Sequence, residues 1–210
     1  MKRLAGELEE HGLCDEVTLS FYDAQARIYA ATARDAPSER LCRFLSHVPA
    51  GGRILELGCG DGRDSEAMSA LGFLIDATDG VAAMAKQAEG RLKRPVRVMR
   101  FDQLDAQCAY DGVWANASLL HVPRQALPDV LFKIFRALRP GGLHMATYKA
   151  GESEGRDRLG RYFSYATSQS LEAAYQASAS WEILSIEHFE GGDYQGGRRP
   201  WLAVTARRPC

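Results

Sequence analysis

The sequence predicts an α/β fold, a doubly wound and mostly parallel sheet with helices on both faces. Three observations predict it. Residues 54–62 read Ile-Leu-Glu-Leu-Gly-Cys-Gly-Asp-Gly, an apolar strand that runs straight into a G-x-G-x-G loop. From there strand-like and helix-like stretches alternate as far as Tyr148, the signature of strands joined by crossover helices. Two later apolar runs, 183–189 and 201–207, flank a glycine-rich turn at 191–197 and predict an antiparallel hairpin at one sheet edge.

The elements follow in order. Residues 16–47 are helical in pattern: Phe21, Tyr22, Ala26, Tyr29 and Ala33 recur at three- and four-residue steps, then Leu41, Phe44 and Leu45, with Pro37 dividing two helices. Pro49-Ala-Gly-Gly52 is a turn into the first strand, 53–57. A helix over 63–71 is closed by Gly72, and 73–78 is the second strand. Helix 81–92, strand 96–100 and strand 110–115 come next. Helix 126–138 has Leu127, Val130, Leu131, Ile134, Phe135 and Leu138 on one face, and Pro140-Gly-Gly142 ends it before strand 143–148. A polar, glycine-bearing stretch then runs to Ser168, followed by a helix over 170–177.

Composition narrows the function. A chain of 210 residues is long enough for one domain with a sizeable core and cramped for two. With 26 basic and 27 acidic residues, the formal net charge of −1 gives no global case for nucleic acid or an anionic membrane. The first ten residues hold no long apolar run, so they are not a secretory signal, and no stretch approaches the roughly 20 apolar residues of a membrane span. The five cysteines, Cys14, Cys42, Cys59, Cys108 and Cys210, are scattered and form no C-x-x-C pair. They predict reduced thiols in the cytoplasm, with no disulfide frame and no metal site.

The strand–glycine–helix unit predicts a ligand at the carboxyl edge of the sheet, with backbone N–H groups and a helix N-terminus turned toward it. The dinucleotide fingerprint G-x-G-x-x-G fails, because its third glycine falls on Arg63. Glu56, ahead of the loop, would repel a pyrophosphate and suits an ammonium group. Asp79 closes the second strand, where a carboxylate can accept both hydroxyls of a ribose; Asp76 points to the opposite face. Met84, on the next helix, is placed to cover an adenine face or to pack in the core. Cys59 is read as a small residue in a tight loop, with a reactive thiol as the alternative.

Ile-Leu-Glu-Leu-Gly-Cys-Gly-Asp-Gly, Asp79 after the second strand and Leu138-Arg-Pro-Gly-Gly before the fifth together resemble the class I S-adenosylmethionine-dependent methyltransferases. The likeness is close over 53–148 and loose elsewhere, and in detail falls nearest to small bacterial, tellurite-resistance-type members. It implies a Rossmann-like seven-stranded sheet with an antiparallel C-terminal strand, and S-adenosylmethionine as cofactor. The whole of 1–210 would be a single methyltransferase domain: an N-terminal helical cap (1–50), a cofactor-binding core (51–150), and a lid loop, helix and C-terminal hairpin (151–210). Glu56, Gly58, Cys59, Gly60 and Gly62 would surround the methionine part. Asp79, with Gly80, would hold the ribose. Phe101, Asp102 and Gln103 would lie beside the adenine, with Asp102 accepting from its amine. Asn116 and Ala117 would border the sulfonium. Tyr22 or Tyr29 would close over the methionine carboxylate, with Arg63 as its ion partner or as a solvated helix residue.

The place after the fourth strand reads Asn116-Ala-Ser-Leu119 and lacks the Asn-Pro-Pro-Tyr-type motif of base and glutamine methyltransferases, so DNA is not an expected partner. A small-molecule substrate is expected, with tRNA or protein methylation, or a non-catalytic cofactor sensor or partner subunit, as the alternatives. His121 is a candidate general base or a packing residue. Tyr148 and Lys149, leaving the fifth strand, are candidates to face the transferred methyl group, and Lys149 to bind an anionic substrate. Glu152, Arg156, Arg158 and Tyr162 form either a surface salt-bridge loop or a lid with an anion clamp.

Overall fold

Side-chain alternation along the strands divides the apolar residues between two faces of one sheet. In the computed structural model, which describes residues 15–32, 38–192, 194 and 196–210, this division sets the architecture. Strand β1 (Arg53–Leu57) sends Ile54 to one face and Leu55 and Leu57 to the other. Strand β4 (Tyr110–Ala115) does the same with Trp114 against Val113 and Ala115. Helices α2 (Glu39–Ser46), α3 (Arg63–Ala70) and α4 (Ala82–Leu92) bury Phe44, Met68, Ala85 and Ala88 on the first face. Helices α5 (Leu127–Ala137) and α6 (Ser168–Ser178) bury Val130, Leu131, Ile134, Leu171 and Tyr175 on the second.

Seven strands form the sheet in the order β3-β2-β1-β4-β5-β9-β8, with β2 (Leu74–Asp79), β3 (Arg97–Val98), β5 (Leu138–Lys149), β8 (Glu182–Gly192) and β9 (Arg198–Arg207). Neighbours are parallel from β3 through β5, and β9 runs antiparallel to both β5 and β8. The expected fold class and C-terminal hairpin are therefore present. The order reverses between β1 and β4, and there the carboxyl ends of the strands open a crevice.

Helix α1 (Glu16–Ala31) covers that crevice. Asp15 Oδ1 caps it, accepting from Thr18 N at 2.8 Å. Its Ala26 is buried against Val81 and Met84 at the start of α4, with Tyr22 and Tyr29 packed around them. Tyr22, Ala26 and Tyr29 are spaced i, i+4, i+7 and so share one face. Two ion pairs fasten the N-terminal end of α1, Arg100–Glu16 at 2.6 Å and Arg156–Asp15 at 2.7 Å.

Three expectations are corrected. The third strand, expected over 96–100, is only two residues long, because its partner β2 ends at Asp79, whose carbonyl takes the ladder's last bond from Met99 N. Strand β5 starts at Leu138, and its register with β4 skips from Leu138 to Leu143, so Pro140-Gly-Gly142 interrupts the ladder from within. The stretch expected to lack regular structure holds a small hairpin, β6 (Glu154–Arg156) paired with β7 (Tyr162–Ser164). Ala33, Pro37, Cys14 and the N-terminal part of the cap lie outside the described residues.

Candidate active site

The glycine loop is built to be tight. Gly58, Gly60 and Gly62 all have positive φ, at 76°, 59° and 80°. A Cβ on Gly58 would lie 2.5 Å from Ser118 Cβ, and one on Gly60 would lie 3.3 Å from the Tyr29 ring. Gly62 serves packing instead: its Cβ would meet Ala88 Cβ at 3.0 Å, where α3 crosses α4.

The loop's backbone donors are turned inward, contrary to expectation. Gly58 N and Cys59 N donate to the Thr78 carbonyl at 3.0 and 2.9 Å, and Gly62 N donates to the Cys59 carbonyl at 2.9 Å. Gly60 N donates to Asp79 Oδ2 at 2.9 Å. A phosphate cradle needs free N–H groups aimed outward, and Gly58, Cys59, Gly60 and Gly62 have committed theirs. What it offers a ligand is a close, uncharged backbone surface.

Asp79 lies at the end of β2 with 8% of its surface exposed. Its Oδ1 accepts from Val81 N at 2.9 Å, so each carboxylate oxygen takes one backbone donor and keeps a second lone pair. Burial raises its pKa to about 6, against the two backbone hydrogen bonds that lower it. Asp76, on the opposite face, binds Arg97 at 3.2 Å and accepts from Tyr110 Oη. Of the two carboxylates, Asp79 borders the first cavity.

Two cavities meet here. The first is lined by Gly58, Gly60, Asp79, Gly80, Val81, Met84, Arg100 and Phe101, with Thr18 and Leu19 of α1. The second, about 500 Å³, is lined by Thr147, Lys149, Arg161, Phe163, Phe189, Tyr194 and Trp201 among others. Tyr22, Tyr29, Asn116, Ala117 and His121 line both and form the passage between them.

The passage is held rigid by a hydrogen-bonded chain. His121 Nδ1 lies 2.6 Å from the Tyr162 carbonyl, which can only accept, so Nδ1 carries the proton. Nε2 is then an acceptor, and Tyr22 Oη donates to it at 3.1 Å. Arg161 Nη1 donates to the same Tyr22 oxygen at 3.3 Å. Rings packed around His121 desolvate it and push its pKa down to about 4, with the charges of Arg161 and Lys149 adding to the effect. Burial pushes Tyr22 up to about 12. On the other side, Thr147 Oγ1 donates to Asn116 Oδ1 and accepts from Ala117 N, each at 2.8 Å. Asn116 Nδ2 donates to Asp64 at 3.2 Å, and Ala117 is held at φ 54°.

Several expected residues stand elsewhere. Glu56 is buried behind the loop, where Ser65 Oγ donates to it; burial and the nearby Asp64 charge raise its pKa well above the carboxylate range. Cys59 is packed in the core, and burial raises its thiol well above its usual value, so it is the small loop residue rather than a reactive one. Arg63 is engaged by Asp61 at 2.7 Å and by the Ala30 and Thr32 carbonyls at 3.2 and 2.5 Å, so it ties down the far end of α1. Asp102 and Gln103 stand exposed beyond Phe101, and Gln103 Oε1 accepts from Arg100 N at 2.8 Å.

Tyr148 is corrected outright. Adjacent strand residues face opposite ways, and Tyr148 points into the core beneath α6, its hydroxyl 3.5 Å from that of Tyr175, while Lys149 faces the second cavity. In the charged cluster, Arg156 pairs with Asp15 and Tyr162 Oη donates to Glu154 at 2.6 Å. From this segment it is Arg161, which the sequence did not single out, that reaches the second cavity. Arg40, Phe189, Tyr194 and Trp201 were also missed as cavity residues; only Arg161 and Phe163, flanking Tyr162 in an alternating pattern, left a sequence signal.

Residues 54–142, from β1 into β5, match the family described as Methyltransferase domain. Over these residues the chain is similar to the class I S-adenosylmethionine-dependent methyltransferases. Among curated relatives of this domain is 27-O-demethylrifamycin SV methyltransferase of Amycolatopsis mediterranei, 28% identical over 153 residues, which are 68% of this chain and 51% of the relative. The chain spans about half the length of the curated relatives it matches, or less. Solved methyltransferases share the fold. The 1,6-didemethyltoxoflavin-N1-methyltransferase of Burkholderia thailandensis superposes with a TM-score of 0.75 at 20% identity, over 92% of this chain and 88% of that one. TehB of Haemophilus influenzae gives 0.65 at 17%, over 90% and 67%. Among the described residues, no helix is long and apolar enough to cross a membrane.

The first cavity fits S-adenosylmethionine on its own chemistry. Asp79 keeps lone pairs for vicinal hydroxyls, Met84 and Phe101 give apolar walls for a base, and the loop presents no anion nest.

Proposed function

We propose that this chain methylates a small molecule, using S-adenosylmethionine bound in the first cavity and the acceptor bound in the second. One observation carries the reading: the two cavities share Tyr22, Tyr29, Asn116, Ala117 and His121, so contents of one abut contents of the other at a single passage. S-adenosylmethionine supplies an activated methyl group, and the protein's part is to bind, align and exclude water.

The side chains divide that work. Asp79 accepts from the ribose hydroxyls, and the backbone of Gly58 and Gly60 lies against the methionine part. Phe101 and Met84 take the adenine. Thr147 fixes the Asn116 amide and the Ala117 N–H at the passage. Tyr22 and Tyr29 of α1 cover it against water. No strong base stands there: His121 is neutral at pH 7, and its one free lone pair is already taken by Tyr22. The reaction this favours is direct displacement by an acceptor that needs no deprotonation by the protein. All 210 residues act as one such domain.

The test is S-adenosylhomocysteine formation across thiols, phenols, amines, carboxylates and metalloid oxyanions, with bulk tRNA as a further acceptor. Turnover on a small compound that disappears in Asp79→Ala is the expected result. Failure to bind S-adenosylhomocysteine at all sinks the reading. Turnover on tRNA alone redirects it to a macromolecular substrate.

A further inference from the structure

The turn that follows β4 has an unfavourable backbone. Ala117 has φ 54°, a left-handed conformation that an alanine avoids. Lys93, with the same φ, closes helix α4, where that conformation is usual. Ala117 closes no helix. Its side chain is exposed, as is that of Asn116, so burial does not explain the shape. Backbone strain of this kind gathers where a site needs a particular geometry.

The sheet register supplies what holds it. Ala115, the last residue of β4, stands opposite Ala146, and the next residue of β5 is Thr147. The Thr147 hydroxyl takes over where the β4 backbone leaves the ladder. It is 1% exposed as a residue, and its Oγ1 accepts from Ala117 N and donates to Asn116 Oδ1, each at 2.8 Å. The far side of the Asn116 amide is fixed too. Asp64 Oδ2 accepts from Asn116 Nδ2 at 3.2 Å and from Trp114 Nε1 at 2.8 Å. Ser118 Oγ donates to the Leu57 carbonyl at 2.6 Å, beside Gly58. Residues 116–118 are therefore pinned to β5, to α3 and to the end of β1. Thr147 lines the second cavity. The turn it holds carries Asn116 and Ala117, which border both cavities, and Ser118, which borders the first.

We propose that Thr147 is a positioning residue for the cofactor that acts from the acceptor side: its hydroxyl keeps the 116–118 turn in the shape that presents Asn116, Ala117 and Ser118 to the first cavity. The inference rests on the proposed function for placing S-adenosylmethionine in that cavity. Without the hydroxyl the Ala117 backbone relaxes and the binding-competent turn becomes a minor form. The apparent Kd then rises by the inverse of that form's fraction.

The experiment is calorimetric titration of S-adenosylhomocysteine into the full chain and its variants, with thermal unfolding of each. Thr147→Val exchanges the hydroxyl for a methyl at the same shape. Thr147→Ser and Thr147→Ala repeat the hydroxyl comparison with the methyl gone. The Kd is expected to rise about tenfold from wild type to Thr147→Val, and again from Thr147→Ser to Thr147→Ala, while Thr147→Ser stays within about threefold of wild type. Adding Ala117→Gly to Thr147→Val should bring the Kd back toward wild type, because glycine adopts a positive φ without strain. A hydroxyl that serves the fold alone would lower the unfolding temperature and leave the Kd of the folded chain unchanged. That result overturns the proposal, as does a Kd that follows the methyl instead of the hydroxyl, or a double variant that recovers nothing. Should Thr147→Val not fold, the serine and alanine pair decides by itself. A wild-type chain that does not bind S-adenosylhomocysteine removes the proposed function and this inference together. Wild-type binding with no split in either pair removes this inference alone.

Discussion

Lowering the pH should loosen cofactor binding through Asp79 alone. Its carboxyl titrates at about 6 in the folded chain, against 3.8 for a free aspartate, because burial disfavours the charged form. The sign follows from linkage. The folded state binds this proton more tightly than the unfolded one, so keeping Asp79 ionised costs the free protein about 3 kcal/mol above pH 6, and the cost vanishes below the unfolded value. A ligand whose hydroxyls donate to the carboxylate selects the ionised form. The ionised fraction falls about tenfold between pH 7 and pH 5, so the Kd for S-adenosylhomocysteine should rise about tenfold over that interval. The titration is a cleaner probe than substitution. Both oxygens already accept backbone N–H groups, so an amide in Asp79→Asn would set a donor against a donor and cost about 1–3 kcal/mol in the loop itself. The variant's use is as a control: it binds more weakly but without a break near pH 6. Calorimetric Kd values from pH 5 to 8 decide the matter. A flat profile in the wild type refutes the ribose assignment. A break that survives in Asp79→Asn refutes it as well and moves the titration to Glu56.

Other measurements bear on the remaining residues. The His121 ring, held neutral with a pKa of about 4, should show no NMR titration between pH 8 and 5; a midpoint near 6.5 would contradict the desolvated passage. His121→Ala should retain much of the methyl-transfer rate, and a complete loss would make it the base after all. Gly58→Ala should destabilise the chain by about 2–4 kcal/mol in urea melts, combining the Ser118 collision with a left-handed φ. Gly90→Ala, in open space in the interior of α4, should stabilise by about 0.5–1 kcal/mol; two changes of the same sign would invalidate the comparison. Tyr148→Phe should change stability by less than about 1 kcal/mol, since it removes only one long hydroxyl contact, and should leave kcat/KM unchanged. A large kinetic effect would return Tyr148 to the site.

What the sequence made legible was the part of the site carried by local geometry. Gly58, Gly60, Asp79, Asn116 and Ala117 each sit at the carboxyl end of a parallel strand, and strand ends can be found from alternation alone. Even there the reading had a limit. The loop's N–H groups are committed to Thr78, Asp79 and Cys59, and spacing says nothing about which carbonyl a donor meets. Strand β5 shows a second limit. Residues 143–148 are buried on both faces, so no polar residue marks which side of the pleat points to the core, and Tyr148 and Lys149 could not be told apart. The second cavity was hidden for a third reason. Arg40, Arg161, Phe189 and Trp201 come from α2, the turn before β7, β8 and β9, and β6 and β7 are three residues each, too short for a period to show.

That contrast carries a consequence for substrate choice. The proposed cofactor wall depends on one contiguous unit, β1 through α4, plus a face of α1, and a Cβ on Gly58, Gly60 or Gly62 would crowd its neighbours at a left-handed φ. The proposed acceptor wall is assembled from separated segments, α1, α2, β5, the turn before β7, β8 and β9 among them, and Arg40, Phe189 and Tyr194 can each be changed without touching the glycine loop. Under the proposed function, specificity would reside in residues that leave the cofactor site intact, with Arg161 as an exception. It faces the second cavity, yet it also holds Tyr22, which lines both. Under the proposed function, an acceptor that draws on Arg161 would pull on its hydrogen bond to Tyr22, and so link acceptor binding to the α1 cover through one guanidinium.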